Sequence, residues 1–254
     1  MSKDAAVLII AGSDSSGGAG IQADIEVLKA FGIKTKSAIT ALTAQDNSSV
    51  LSIHPTPSDV LSQQLSAAYD KNINVVKIGM VATLTNVKTI VWFLKRIKLK
   101  HVVIDPVFYS SSGTPLLETK ALSFFRQQLL PLGTIITPNL REAGVLAGMK
   151  VASLSTMKKA AEVIHLDIAK IRGGYDKPLV VLVKGGHLEG DAVDVYFDGN
   201  EYLSFTAKRI KGVSPRGTGC RFSTAIAAGL ALGDDICPAI EQAKKYVKSY
   251  ISGR

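Results

Sequence analysis

Near its start the chain reads AAVLIIAGSDSSGGAGIQADIEVLKAFG, residues 5–32, where an apolar run leads through a glycine-rich loop into a segment of helical spacing. The unbroken apolar run is typical of a strand that is buried on both faces of a sheet. Ile21, Ile25 and Leu28 then recur at the spacing of one helix face, and Gly32 can end that helix. A buried strand followed by a helix is how a βαβ unit begins, so this stretch predicts an α/β fold.

Compact runs rich in valine and isoleucine recur along the rest of the chain, separated by longer segments of helical spacing. After the first run, the predicted strands are Val75 to Ile78, His101 to Ile104, Thr134 to Thr137 and Leu179 to Val183. Residues 193–206 differ, because two alternating segments flank an Asp-Gly turn, and this pattern predicts an antiparallel hairpin. We therefore expect one α/β domain over residues 1–254, with a mainly parallel central sheet flanked by helices.

Composition excludes several classes of protein. Hydrophobic residues make up 46% and charged residues 20% of the chain, which is typical of a packed globular protein. The apolar runs are shorter than the roughly 18 residues that span a bilayer, and the first one lacks the flanks of a signal peptide. Two cysteines provide neither a disulfide framework nor a metal site. We expect a cytoplasmic protein without membrane contacts.

The formal net charge of +9 raises the question of nucleic-acid binding. The basic residues are scattered in short groups, and no group is interleaved with the aromatic residues of a base-stacking platform. The pattern favours a solvated basic surface that attracts anionic small molecules. We expect no nucleic-acid partner.

Polar and glycine residues follow each of the five predicted strands. Loops at the carboxyl ends of parallel strands converge at one edge of the sheet, where ligands bind in open α/β folds. Glycines, two carboxylates, an amide and a lysine suit a nucleotide phosphate chain with a divalent metal better than hydride or acyl transfer. The residues concerned are Gly12 to Gly20, Gly79 and Met80, Asp105, Asn139 and Glu142, and Lys184 to His187.

The loop GSDSSGGAG, residues 12–20, is compatible with a phosphate cradle but matches neither GxGxxG nor a Walker A sequence. A tight strand-to-helix turn without a ligand is the alternative.

RGTGC, residues 216–220, is a stronger signal because it opens a helix with an apolar face. Gly217, Thr218 and Gly219 place backbone N–H groups at the positive end of a helix dipole, which suits a transferring phosphoryl group. Cys220 lies in the first turn, where we expect a lowered thiol pKa and a role as proton acceptor. The alternative is a flexible helix start followed by a small buried residue.

Seven segments together resemble hydroxymethylpyrimidine and hydroxymethylpyrimidine-phosphate kinases of the ribokinase-like superfamily. The resemblance runs in order along nearly the whole chain. It implies a three-layer α/β/α sandwich, ATP with Mg²⁺, a pyrimidine substrate and a homodimer. The segments are AGSDSSGGAGIQAD (11–24), TALTAQ (40–45), KIGM (77–80), IDPV (104–107), ITPNLREA (136–143), VLVKGGH (181–187) and GTGC (217–220).

The resemblance also assigns roles to particular residues. It implies that Asp105 and Glu142 act on the metal, that Asn139 and Lys184 bind ATP, and that residues 217–220 are catalytic. For the two carboxylates the alternative is solvation or helix capping, and for Lys184 it is a surface position. The implied contacts of the pyrimidine ring are Gly12, Ala19, Gln45, Met80 and Val107.

Gln45 is expected to pair with the amino and nitrogen edge of the ring, because an amide offers both a donor and an acceptor. An ordinary polar loop residue is the alternative for this position.

The chain departs from the family pattern near the last motif. Ser214, Pro215 and Arg216 stand where Asn-Thr-His is common, and Arg221 stands where threonine is usual. We expect the two arginines to add positive charge at the anion site and to tighten phosphate binding. A shifted substrate preference is the alternative. The chain also ends soon after Tyr250, which puts in doubt the adenine contacts that relatives make from a longer tail.

Three rival functions remain open at this point. A pyridoxal or pyridoxine kinase of the same superfamily is the first, since its substrate also bears a hydroxymethyl group on an aromatic ring. A vitamin-binding regulator without catalysis is the second. A dinucleotide-binding oxidoreductase is the third, and it lacks its fingerprint here.

Overall fold

The computed structural model describes residues 5–46, 48–173, 177–186, 188, 190–210 and 216–253. Within these residues the strands are β1 Ala6–Asp14, β2 Lys34–Gln45, β3 Val50–Pro55, β4 Val75–Ile78, β5 His101–Ile104, β6 Ile135–Ile136, β7 Val180–Lys184, β8 Ala192–Phe197 and β9 Tyr202–Ala207. They form one sheet in the order β3-β2-β1-β4-β5-β6-β7-β8-β9.

The helices of the described residues cover both faces of this sheet. They are α1 Gly20–Ala30, α2 Ser58–Ala68, α3 Leu84–Leu94, α4 Leu122–Phe124, α5 Leu140–Ala147, α6 Leu154–Arg172, α7 Thr218–Leu232 and α8 Ile236–Ser252. The short α4 lies within a longer stretch of tight and wide helical turns over residues 119–132.

The five strands predicted from apolar runs are β1, β4, β5, β6 and β7, and they are parallel neighbours. Alternate residues of β1 enter different cores: Leu8 and Ile10 pack with α2 and α3, while Val7 and Ile9 pack with α1 and α7. Both faces of the strand are therefore buried, which explains the unbroken apolar run. The two cores make three layers, so the predicted α/β/α sandwich is confirmed.

Antiparallel hairpins close both edges of the sheet. The predicted hairpin is confirmed as β8 and β9. The hairpin of β2 and β3 was not predicted, because polar residues interrupt β2 and β3 is largely exposed. An edge strand needs fewer apolar residues than a central one, so its sequence signal is weaker.

Every helix in the described part of the chain is too short or too polar to span a bilayer. The expected homodimer and the expected cytoplasmic location stay predictions.

A buried ion pair joins the elements beneath the carboxyl edge of the sheet. Lys77 of β4 lies 2.7 Å from Asp24 of α1, and both side chains are fully buried. Thr224 of α7 donates its hydroxyl hydrogen to the other oxygen of Asp24 at 2.6 Å. A buried charge is tolerated only where it is paired and hydrogen-bonded, so this cluster holds β4, α1 and α7 in one arrangement.

We expect Asp24→Asn to lower the free energy of unfolding by about 3–5 kcal/mol, because Lys77 keeps its charge in an apolar interior without a counterion. Chemical denaturation followed by circular dichroism measures the loss. Lys159→Met, which breaks the exposed pair with Glu162, is the matched control and should leave the midpoint nearly unchanged. An equal effect of the two substitutions would contradict a structural role for the buried pair.

Candidate active site

A cleft of about 760 Å³ lies where the carboxyl ends of the parallel strands meet the start of α7. Residues far apart in sequence converge here, as parallel strands require. The predicted convergence is confirmed, while the role of each residue stays a prediction. The predicted residues that line the cleft are Gly12, Ala19, Gln45, Met80, Asp105, Val107, Asn139, Glu142, Lys184, Gly217, Thr218, Gly219 and Cys220.

One end of the cleft has apolar walls. Met80 is 8% exposed and packs in a small cluster that Val107 borders. Gly12 approaches Met80 so closely that a Cβ there would lie 2.8 Å from the sulfur. The hydroxyl of Thr40 donates to the carbonyl oxygen of Met80 at 2.6 Å and fixes its backbone. Gln45, the last residue of β2, adds an amide to the lining.

The glycine-rich loop folds around a carboxylate of its own. Asp14 accepts hydrogen bonds from the backbone N–H groups of Ser16 and Ala19, each at 2.8 Å. The backbone N–H of Asp14 in turn donates to Gln22 at 2.9 Å. These bonds occupy the N–H groups of Asp14, Ser16 and Ala19, which favours a tight strand-to-helix turn over an open phosphate cradle.

Helix α7 begins at the cleft with N–H groups that no side chain of the described residues caps. Gly217 precedes the helix with a φ of +74°, a conformation that favours glycine. A side chain there would also collide with the carbonyl oxygen of Gly18. Lys184 approaches from the opposite side, since a Cβ on Gly219 would lie 3.3 Å from its Nζ. Uncapped amides beside a lysine make a site for an anion.

Asp105 and Lys184 form an ion pair at the centre of the cleft. The Lys184 Nζ lies 2.6 Å from Asp105 Oδ1, and the aspartate side chain is 2% exposed. The hydroxyl groups of Thr137 and Ser223 also donate to Asp105, at 3.2 and 3.3 Å. The last of these bonds comes from α7, one turn beyond its start. The predicted metal and phosphate residues are therefore in direct contact in the resting protein.

Asn139 and Glu142 form a capping box at the start of α5. Asn139 Oδ1 accepts from the N–H of Glu142 at 2.9 Å, and Glu142 Oε2 accepts from the N–H of Asn139 at 2.7 Å. The capping alternative raised from the sequence is thus observed, and both side chains also line the cleft. Burial raises the pKa of Glu142 to about 7, against the opposing effect of Lys184.

The prediction of a lowered Cys220 pKa was wrong. Burial raises the pKa of its thiol to about 11, and the nearby Lys77 lowers it only in part. Cys220 is partly buried where it lines the cleft, and the cost of placing a thiolate there raises the pKa despite its position in the first turn of α7. Cys220 therefore holds its proton at neutral pH.

The prediction that both arginines add charge at the anion site was wrong for Arg221. This residue follows Cys220 on the helix and points to the opposite face, where it is 1% exposed. Its guanidinium pairs with Glu26 of α1 at 2.8 Å and lies 4.2 Å from the ring centre of Tyr250 on α8. Arg221 joins three helices, and of the two arginines Arg216 is the one that lines the cleft.

The far end of the cleft is walled by α8. Val247 and Ile251 contribute apolar side chains to it. Ser214, Pro215 and His187, which the sequence analysis named, lie outside the described residues.

Sequence reasoning missed three features of the cleft: the organising role of Asp14, the buried Lys77, and the contacts of Arg216. A lysine inside the apolar run Val75 to Ile78 was the available signal for Lys77, because a charge in a buried strand needs a partner. Asp14 before two serines and two glycines was a signal for an Asx-type turn, whereas no local pattern points to the partners of Arg216.

The resemblance implies phosphoryl transfer at the start of α7, and we expect Gly217→Ala to abolish it, because the Cβ meets the Gly18 carbonyl and the backbone must leave the left-handed region. Steady-state kinetics measures the loss. Ala227→Ser, a similarly small change in the middle of α7, is the control for folding. Activity of Gly217→Ala near the wild-type level would contradict a fixed helix start.

Stability should depend on pH through Glu142. Its folded-state pKa is raised from 4.5 to about 7, so the folded protein binds this proton more tightly than the unfolded chain does. The resulting stabilisation is complete below pH 4.5 and is lost as the pH rises to about 7. Glu142→Gln keeps an acceptor for the Asn139 N–H and removes the titration.

We therefore expect the free energy of unfolding of Glu142→Gln to fall less between pH 4.5 and about 7 than that of the wild type. Urea denaturation in EDTA, without nucleotide, measures this free energy at each pH. Glu162→Gln on the outer face of α6 should keep the wild-type slope. Identical slopes in wild type and Glu142→Gln would show that another group titrates.

Comparison with known proteins places these features in a family. A family model described as phosphomethylpyrimidine kinase matches residues 14–254. A hydroxymethylpyrimidine/phosphomethylpyrimidine kinase of Aquifex aeolicus (strain VF5) is 40% identical over 246 residues, which cover 96% of this chain and 93% of the relative. The chain spans 43% and 45% of the length of two plant thiamine biosynthetic bifunctional enzymes that it matches at 41% identity.

Solved structures agree with the sequence relatives. A phosphomethylpyrimidine kinase of Clostridium difficile 630 superposes with a TM-score of 0.82 at 38% identity, covering 97% of this chain and 99% of that one. A pyridoxal kinase of Staphylococcus aureus, in complex with AMP-PCP and pyridoxal, superposes with a TM-score of 0.86 at 32% identity, covering 98% and 88%. The fold is therefore that of ribokinase-like kinases, and this chain belongs to the phosphomethylpyrimidine kinase family.

Proposed function

We propose that this protein transfers the terminal phosphoryl group of ATP to 4-amino-5-hydroxymethyl-2-methylpyrimidine, and then to its monophosphate, in thiamine biosynthesis. The observation that carries the proposal is the ion pair of Asp105 and Lys184 beside the uncapped start of α7, in a cleft whose other end is apolar. The Aquifex relative is named for both phosphorylation steps.

The apolar end receives the pyrimidine ring in this proposal. Met80 and Val107 contact its faces, and Gly12 and Ala19 let the backbone approach it closely. Gln45 hydrogen-bonds its polar edge. The buried backbone of Met80 and the tight contact with Gly12 support the assignment, because a preorganised wall orients the hydroxymethyl group without further ordering.

The phosphates of ATP lie toward the start of α7. The amides of Gly217, Thr218 and Gly219 hold the transferring group, and Lys184 leaves Asp105 to neutralise its charge. Asn139 is well placed beside them, because its backbone bridges to that of Lys184 and the Lys184 N–H donates to the carbonyl oxygen of Pro138 at 2.8 Å. Transfer through a loose transition state depends mostly on such positioning.

Asp105 and Glu142 are the residues that would hold Mg²⁺. The described residues contain no group of three or more histidine, cysteine or acidic side chains suited to a metal. Two carboxylates nevertheless fit Mg²⁺, which takes most of its ligands from phosphates and water. The bound ion would neutralise charge that develops on the phosphate oxygens.

Cys220 contacts the attacking hydroxymethyl oxygen in this proposal. Because its thiol pKa is raised to about 11, it is not a resting base, and its contribution is to position the oxygen. Deprotonation matters less in a loose transition state than in acyl transfer.

Pyridoxal or pyridoxine phosphorylation is a second candidate function. The similarity to the pyridoxal kinase of Staphylococcus aureus, in a complex with pyridoxal itself, favours it. The hydroxymethyl group that reacts first is the same, so for this step the two functions differ in how the polar edge of the ring is recognised.

A coupled assay for ADP release tests the proposal with Mg²⁺-ATP and three acceptors: the hydroxymethylpyrimidine, its monophosphate and pyridoxal. We expect turnover of both pyrimidines and a kcat/KM at least ~10-fold lower for pyridoxal. Turnover of pyridoxal alone would establish the second candidate. Thermal stabilisation by the ligands without ADP release would indicate a regulator without catalysis.

Within this assay we expect Asp105→Asn to lower kcat by about 10²–10³-fold, because it weakens both the metal site and the hold on Lys184. Cys220→Ala should cost no more than ~10-fold, because the thiol is protonated at rest. Cys237→Ala on α8 is the matched cysteine control and should keep wild-type kinetics. A larger loss from Cys220→Ala than from Asp105→Asn would contradict these roles.

A further inference from the structure

Arg216 ties together three segments that surround the apolar end of the cleft. Its Nη2 donates to Gln45 Oε1 at 2.8 Å and lies 3.8 Å from Asp14 Oδ2. Its Nη1 donates to the carbonyl oxygen of Asp46 and lies 3.4 Å from Ser16 Oγ. The side chain is 18% exposed. One guanidinium thus links the loop after β1, the end of β2 and the residues before α7.

The contact with Gln45 decides how its amide is oriented. A guanidinium has only donors, so the atom of Gln45 that it contacts must be the oxygen and not the nitrogen. The backbone of Gln45 is fixed as well, because its N–H donates to Ser15 Oγ at 2.9 Å and its carbonyl oxygen accepts from the same hydroxyl at 2.8 Å. The amide cannot rotate by 180° without losing a charge-assisted hydrogen bond.

We propose that Arg216 determines ring specificity by holding Gln45 with its amino group toward the ring, so that the site selects a ring with a hydrogen-bond acceptor at that edge. The proposal rests on the proposed function, in which Gln45 meets the ring. Arg216 takes one of the two lone pairs of Oε1, and its positive charge disfavours a second donor from the ring while it strengthens the amide N–H as a donor.

The two ring classes meet this requirement differently. The pyrimidine offers the ring nitrogen next to its amino-bearing carbon as the acceptor, and its amino group contributes little. A hydroxypyridine such as pyridoxine offers its phenolic oxygen. Arg216 therefore makes the acceptor, and not the amino group, the feature that is recognised.

The test compares three acceptors by kcat/KM: the hydroxymethylpyrimidine, its analogue without the amino group, and its analogue with CH in place of the ring nitrogen next to the amino-bearing carbon. Relative to the hydroxymethylpyrimidine, we expect the wild-type kcat/KM to fall at least ~10-fold for the CH analogue and less than ~3-fold for the analogue without the amino group. In Arg216→Met the amide can accept from the ring, so the loss on removal of the amino group should grow by at least ~3-fold.

Arg209→Met is the matched control. Arg209 also lines the cleft, but its guanidinium donates to the backbone carbonyls of Gly186 and Gly190, at 2.6 and 2.8 Å. Arg209→Met also removes one positive charge, and it should keep the wild-type ratios of kcat/KM among the three acceptors. Arg216→Lys, which keeps the charge without the fork of donors, should give ratios between wild type and Arg216→Met.

Equal losses with the two analogues in the wild type would overturn the proposal, as would unchanged ratios in Arg216→Met. The same change of ratio in Arg209→Met would replace it with a general effect of charge.

If the wild type phosphorylates no pyrimidine, the proposed function fails, and the variants are then compared on pyridoxine and 3-deoxypyridoxine. For the wild type we expect kcat/KM to be at least ~10-fold lower for 3-deoxypyridoxine, which lacks the phenolic oxygen, than for pyridoxine, and we expect a smaller difference for Arg216→Met. Equal differences in the two proteins would overturn the proposal.

Discussion

The buried pair of Asp24 and Lys77 is the constraint on which the cleft depends. Lys77 lies in a strand whose neighbouring residues fill the two apolar cores, so its charge is tolerable only with a carboxylate in contact. Asp24 supplies that carboxylate from α1, and Thr224 adds a hydrogen bond from α7. The pair thereby connects α1, which follows the glycine-rich loop, to α7, whose first amides hold the phosphoryl group in the proposed function.

Two further cations of the cleft also lie beside carboxylates. Lys184 contacts Asp105, and Arg216 contacts Asp14. A phosphate that enters the site has to compete for Lys184 with a carboxylate that is already in place. Pairing keeps these side chains in fixed positions before the substrate arrives, which is how a site reduces the reorganisation needed during the reaction.

Helix starts have two uses in this cleft. At α5 the N–H groups are occupied by the capping box of Asn139 and Glu142, so those side chains are held rigidly and serve the fold as well as the site. At α7 the residue before the helix is Gly217, which offers no side chain, and residues 217–219 line the cleft. The same local rule therefore yields a structural cap at α5 and leaves uncapped amides at α7, where we propose that a phosphoryl group binds.

The sequence by itself determined the central parallel strands and the edge of the sheet where the site lies. A strand buried on both faces has an unbroken apolar run, and parallel strands bring their carboxyl ends together, so both conclusions follow from local patterns. The capping alternative for Glu142 was also visible, because a capping box depends on residues three positions apart.

Only the tertiary structure decided the edge hairpin of β2 and β3, the raised pKa of Cys220, the direction of Arg221 and the partners of Arg216. Each depends on which surfaces pack together across the chain: burial sets the thiol pKa, and Arg216 meets Gln45 from 171 positions away. A local pattern carries no information about contacts at that separation, because folding alone brings the two side chains within hydrogen-bonding distance.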